Sequence, residues 1–92
     1  MTYRMGGFTP GSTRTVKLYF VEHFWTAPWK RVFDVVINGT KVLENFDIFA
    51  NTGGRWIARS HSFTTTANSN GQVVVQFVAG IDNPMVNAIV VN

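Results

Sequence analysis

Val35-Val36-Ile37-Asn38-Gly39-Thr40-Lys41-Val42-Leu43 reads as a β-hairpin. A two-residue type I′ turn needs positive φ at both central positions, and Asn-Gly between apolar β-formers is its strongest short signal. Working outward, residues 31–37 form the incoming strand. Upstream, Val16-Lys17-Leu18-Tyr19-Phe20-Val21 alternates, with Val16, Leu18 and Phe20 on one face and Lys17, Tyr19 and Val21 on the other. Residues 1–14 are a lead-in with a short edge strand around 3–8. Downstream, residues 45–50, carrying Phe46, Ile48 and Phe49, read as a short strand or extended loop. Gly53-Gly54 turns the chain into a strand over 55–65, and Ala67-Asn68-Ser69-Asn70-Gly71 leads into the strand 72–78. A turn over 80–84 precedes a last strand over 85–91. Strands that recur about every ten residues with turns between them predict an all-β fold. The expected architecture is a β-sandwich of two antiparallel sheets, jelly-roll-like, with residues 1–92 forming one domain.

Composition agrees with sheet. Val, Ile, Thr and Phe are abundant while Leu and Glu are scarce, and 8 Gly with many Asn and Thr supply turns. A chain of 92 residues buries roughly two thirds of its unfolded surface, enough for one modest core. The net charge is +3, but the basic residues are scattered and only Lys30-Arg31 are adjacent, so no nucleic-acid partner is expected. The absence of Cys excludes a disulfide framework and a thiolate metal site. No apolar run approaches the ~20 residues of a membrane span. His23 and His61 are too few for a zinc site. Asp34, Glu44 and Asp47 have the oxygen chemistry of calcium ligands, but turn fixing or pairing with Arg31 explains Asp34 and Asp47 more simply, and no cofactor is expected. Glycoside hydrolysis needs two facing carboxylates. Glu22 and Asp34 flank the 24–30 turn, yet so short a chain leaves little room for a deep cleft, and no enzymatic activity is expected.

The three tryptophans need a different explanation. Trp25 and Trp29 bracket a Thr-Ala-Pro turn in Phe24-Trp25-Thr26-Ala27-Pro28-Trp29, and Trp56 follows Gly53-Gly54-Arg55. Loops run over the surface, and a large flat ring there is useful when something stacks on it. A pyranose offers an apolar, slightly positive C–H face to an electron-rich indole. Asp82 and Asn83, in Asp82-Asn83-Pro84, and Asn87 have the groups to orient hydroxyls, and Asp-Asn-Pro is equally good turn chemistry. Arg55, Gln76, Lys30, Arg59 and Tyr19 are candidates to flank the platform. On a regular strand Arg55, Ile57 and Arg59 would share one face and Trp56, Ala58 and Ser60 the other.

Four ordered blocks resemble the malectin-like carbohydrate-binding modules: Leu18-Tyr19-Phe20-Val21-Glu22; Arg31-Val32-Phe33-Asp34-Val35-Val36-Ile37-Asn38-Gly39; Val42-Leu43-Glu44-Asn45-Phe46-Asp47-Ile48-Phe49 with Gly53-Gly54; and Asp82-Asn83-Pro84-Met85-Val86-Asn87-Ala88-Ile89. The resemblance covers about four fifths of the chain and implies a jelly-roll sandwich that binds sugar without catalysis. In that family two consecutive aromatics after the Phe-x-Glu strand contact the sugar, which here are Phe24 and Trp25. An Asp in the Asp-Asn-Pro loop bonds sugar hydroxyls, here Asp82. Relatives also carry an N-terminal portion with two further ligand tyrosines, of which residues 3–8 would be a remnant. Trp29 and Trp56 stand where relatives have small or polar residues. They look like a rebuilt platform of the kind used for β-glucans by modules attached to bacterial plant-cell-wall hydrolases. The resulting expectation is a secreted, extracellular module that binds β-linked glucan through Trp25, Trp29, Trp56, Phe24, Asp82, Asn83, Arg55 and Gln76 and targets an attached glycoside hydrolase. The alternatives are a short α-glucoside at the loop end, a protein-interaction sandwich, or a single-stranded nucleic-acid binder.

Overall fold

The alternation of Val16, Leu18 and Phe20 becomes one wall of a closed core. The computed structural model describes residues 1–92 and shows all three side chains fully buried. They lie on β2 (Thr13–Val21), which is the middle strand of a three-stranded antiparallel sheet with β5 (Ala58–Thr66) on one side and β7 (Ala88–Val91) on the other. The facing sheet has four antiparallel strands in the order β1 (Thr2–Met5), β6 (Val73–Ile81), β3 (Val32–Ile37) and β4 (Thr40–Phe46). Its inward residues are Phe33, Val35 and Ile37 of β3 and Val73, Val75 and Phe77 of β6, all buried. Phe20 reaches across to Phe46 with ring centroids 4.8 Å apart and to Phe33 at 6.0 Å. The expected all-β sandwich of two antiparallel sheets is what forms.

Of the six connections between strands, only the Asn38-Gly39 hairpin joins two strands of one sheet, and the other five cross between sheets. Asn38 has φ 45° and Gly39 φ 81°, the two positive values a type I′ turn requires. Asn38 also ties the hairpin to the rest of that end. Its Oδ1 accepts from Val74 N at 2.7 Å, and its Nδ2 donates to Thr66 O at 2.7 Å.

Several boundaries differ from the sequence reading: β1 ends at Met5 rather than 8, β2 starts at Thr13 rather than 16, and β6 runs on to Ile81 rather than 78. Residues 45–50 are neither a strand nor an extended loop, because β4 ends at Phe46 and a one-turn helix α1 (Ile48–Thr52) follows. Asp47 caps that helix by accepting from Ala50 N at 3.2 Å, and Gly53, at φ 88°, closes it with its N–H on Phe49 O. The strand expected over 55–65 starts only at Ala58, because Trp56 adopts φ 65°. The alternation proposed for Arg55 through Ser60 therefore does not hold at Trp56. The last strand starts at Ala88 rather than 85.

His61, on β5, packs edge-on to Phe46 at 5.3 Å, and its Nε2 lies 2.9 Å from Asn51 Oδ1 of α1. Burial, with a smaller contribution from the charge of Arg59, holds its pKa below the ordinary histidine value. The unfolded chain thus takes up the proton first, as an unshifted histidine does at about pH 6.5. Stability from neutral His61 is fully present above that pH and is lost as pH falls through it and on through the lower folded value. We expect the thermal midpoint to drop between pH 7.5 and 5 at constant ionic strength, and His61→Gln to flatten the drop. Identical profiles for the two proteins would remove His61 as the cause.

Candidate functional site at the loop end

Antiparallel order sends the chain out of β2, β4 and β6 at one end of the sandwich and back through β3, β5 and β7. Residues 22–31, 47–57 and 82–87 therefore meet there. This end holds Phe24, Trp25, Trp29, Arg55, Trp56, Asp82 and Asn83. Gln76 is not among them. It lies mid-way along β6, opposite Thr2 and Val36, where its buried neighbours Val75 and Phe77 put it on the outer face of the four-stranded sheet.

The rings are open to solvent. Phe24 is 62% exposed, Trp29 61% and Trp56 65%, while Trp25 is half-buried. Phe24 and Trp25 pack edge to face, with centroids 4.7 Å apart and planes at 88°. His23 stacks beside Trp56 at 5.9 Å, and the Arg55 guanidinium lies 5.7 Å from the Trp56 ring centre.

Trp29 and Trp56 both sit in the left-handed region, at φ 63° and 65°. That region is costly for a side chain of this size, and each residue is held there by a bond to its backbone N–H. Trp29 N donates to the Asp47 carboxylate, and Trp56 N donates to Glu22 O at 2.8 Å. Asp47 thereby serves two elements, since one oxygen caps α1 and the other fixes Trp29. Asp47→Ala should cost about 1 kcal/mol for the lost cap and about 1 kcal/mol for the bond to Trp29. Denaturant unfolding checks the sum, and a change below about 0.5 kcal/mol would mean that neither bond stabilises the fold.

Behind the rings lies a buried ion pair that sequence reasoning missed. Glu22 is fully buried, and Arg31 is 8% exposed. Arg31 Nε donates to Glu22 Oε1 at 2.8 Å, and its Nη1 donates to Asn83 O at 2.6 Å. Glu22 Oε2 accepts from the backbone N–H groups of Phe24 at 3.2 Å and Trp25 at 3.5 Å. Asp82 Oδ2 accepts from the Trp25 indole at 2.8 Å and faces Arg31 Nη2 at 3.9 Å. The indole first, then the Asn83 backbone amide, hold the Asp82 pKa below the ordinary carboxylate value. A signal for this pair was present. Glu22 continues the even-numbered phase of Val16, Leu18 and Phe20, and a carboxylate in core phase requires a cation and donors.

Of the two roles expected for Asp34 and Asp47, pairing with Arg31 does not occur, while both carboxylates accept from backbone amides, Asp34 from Asn45 and Asp47 from Trp29 and Ala50. Asp34 meets Lys41 at 3.3 Å across the β3–β4 pair, and Glu44 meets the same ammonium at 3.6 Å. Both oxygens of Asp47 face backbone amides. The three acids considered as calcium ligands are thus divided between Lys41 and the helix cap. Glu22 and Asp34, considered as a facing pair, are turned to Arg31 and Lys41 respectively.

Known proteins resemble the chain in sequence and in fold. Over 82 residues, covering 87% of this chain and 13% of the relative, it is 38% identical to Receptor-like protein 4 of Arabidopsis thaliana. The ectodomain of ANX2 from Arabidopsis thaliana superposes with a TM-score of 0.79 at 17% identity, covering 97% of this chain and 26% of that one. A β-glucuronidase of Bacteroides uniformis superposes with a TM-score of 0.83 at 21% identity, covering 98% of this chain and 10% of that one. The chain thus spans only a small part of each of these proteins. No helix is long and apolar enough to cross a membrane. Residues 10–89 match the Malectin domain, whose fold is of a carbohydrate-binding type, and the chain belongs to the malectin domain family.

Proposed function

We propose that the chain is a non-catalytic carbohydrate-binding module whose loop end seats a β-linked glucan against Trp25, Trp29, Trp56 and Phe24. The observation that carries this reading is the pair of tryptophans held at φ 63° and 65° while the residues stay 61% and 65% exposed. A left-handed tryptophan costs about 1–2 kcal/mol, and an exposed ring recovers little of that by burial. Strain of this kind clusters at ligand sites. The carboxylates at this end support a binding rather than a catalytic role. Glu22, Asp47 and Asp82 all have oxygens facing donors, so none is arranged as a free acid or base.

Base–aromatic stacking is worth about 1–3 kcal/mol per ring, and sugar stacking of that order would give micromolar to millimolar affinity after ordering costs. Asn83 and Arg55 would set orientation at the rim. The likeness to a small part of a β-glucuronidase supports attachment to a glycoside hydrolase, which the module would hold near its polysaccharide. The receptor relative and the ectodomain structures support a place outside the cell. Calorimetry and affinity electrophoresis against xyloglucan, mixed-linkage β-glucan, cellohexaose and maltose test the reading. Retardation by a β-glucan, unchanged between low and high salt, is the expected result. Binding of maltose alone would move the site to short α-glucosides. Binding of an oligonucleotide that falls steeply with salt would replace the proposal.

A further inference from the structure

Trp25 is the one aromatic of the loop end held at two of its own nitrogens. Its backbone N–H points at Glu22 Oε2 at 3.5 Å, and its indole Nε1–H donates to Asp82 Oδ2 at 2.8 Å. One guanidinium bridges the two carboxylates. Arg31 Nε is bonded to Glu22 at 2.8 Å, Arg31 Nη2 faces Asp82 at 3.9 Å, and Arg31 Nη1 binds the next carbonyl, that of Asn83, at 2.6 Å. The contacts close a ring from Trp25 through Glu22, Arg31 and Asp82 back to Trp25. Phe24 packs edge-on against the same indole.

This arrangement changes what Trp25 and Asp82 offer. The indole N–H could donate to a ligand oxygen, but here it is used within the protein, which leaves the ring face as the contact. One of the two acceptor oxygens of Asp82, Oδ2, is taken up by holding the indole. Resting on the proposed sugar reading, we infer that Asp82 is a positioning residue: it fixes the plane of Trp25 and acts on the ligand through that ring rather than by touching it. A ring fixed in advance loses less freedom when a ligand stacks, so affinity is gained without a new contact. Glu22 and Arg31 act one step further back by fixing Asp82 and the 24–25 backbone.

The first arm of the test needs no ligand. Nuclear magnetic relaxation of the Trp25 indole ¹⁵N in the free protein should give an order parameter of about 0.85, falling below about 0.6 in Asp82→Ala. Asp82→Asn keeps an acceptor and tolerates the left-handed φ of 58° at this position, so it should restore the rigid value. An indole equally rigid in Asp82→Ala overturns the inference. The second arm is a double-mutant cycle with Trp25→Phe, titrated with xyloglucan and with maltose. Asp82→Ala should weaken binding about tenfold in the native background and by less than twofold beside Trp25→Phe, where no indole remains to hold. An equal loss in both backgrounds makes Asp82 a direct sugar contact and also overturns the inference. If neither sugar binds while the indole is mobilised in Asp82→Ala, the sugar reading fails and the positioning of Trp25 stands.

Discussion

Glu22→Ala should lower stability by about 3–5 kcal/mol, the cost of leaving a buried charge without its partner. For a chain of this size that is a fall in midpoint of about 15–30 °C. The total stability of a 92-residue domain is on the order of 5–14 kcal/mol, so the loss removes at least about a fifth of it and, at the low end of that range, nearly all of it. The cost is large because the substitution breaks several bonds at once. Arg31 stays buried without its 2.8 Å partner, and the amides of Phe24 and Trp25 lose their acceptor. Glu22→Gln keeps one acceptor oxygen but turns an amide NH2 onto N–H donors and leaves the Arg31 charge to Asp82 alone, so it should still cost about 3 kcal/mol. Glu22→Met with Arg31→Met tests the pair from the other side. Replacing a buried ion pair by apolar residues is often neutral. Here it should remain destabilising, because the Asn83 carbonyl and two loop amides lose their partners. Thermal unfolding of the four proteins decides. If Glu22→Ala matches the native midpoint within a few degrees, the ion pair is not what holds the loop end together.

Where the chain alternates or turns by local chemistry, the sequence could be read. The even-numbered face of β2 and the Asn38-Gly39 turn depend on residues within a few positions of one another, and both form as expected. The five-residue helix at Ile48–Thr52 was not legible by periodicity, since one turn is too short to show a period and Phe46, Ile48 and Phe49 fit either state. Its caps were the readable signal, with Asp47 three residues before Ala50 and a glycine at 53. The sequence placed Trp56 on a regular strand face because alternation assumes extended backbone. A left-handed residue breaks that phase, and only the bond from Trp56 N to Glu22 O, 34 positions away in sequence, explains why it is there.

The site divides in the same way. Seven of the eight residues singled out from sequence, Phe24, Trp25, Trp29, Arg55, Trp56, Asp82 and Asn83, reach one end because sandwich topology gathers alternate loops. Gln76 was chosen for its chemistry, but strand parity places it on a sheet face. The Glu22–Arg31–Asp82 connection joins residues up to 60 positions apart and left one local trace, an acid in core phase.

Trp29→Gly and Trp56→Gly should together abolish detectable glucan binding while leaving the fold at least as stable as before. Two effects oppose each other in the free protein. Glycine has no side-chain penalty at φ 63° and 65°, which returns about 1–2 kcal/mol per site. It also adds freedom to the unfolded chain, which removes about 0.4–1 kcal/mol. Little apolar contact is lost, since both residues are more than half exposed. In the complex nothing offsets the loss, and each missing ring should weaken binding by about 5–100-fold if stacking is worth about 1–3 kcal/mol. Glycine is the more discriminating substitution because alanine keeps the strain and blurs the stability arm. Calorimetric titration of xyloglucan and thermal unfolding, measured on the same preparations, separate the possibilities. A stability loss of about 3 kcal/mol or more per site is the signature of a large side chain truncated from a core, and it would make the two indoles lids on the sandwich. Undiminished binding by a stably folded double variant would leave Phe24 and Trp25 as the whole platform and would remove the structural reason for holding two tryptophans in left-handed backbone.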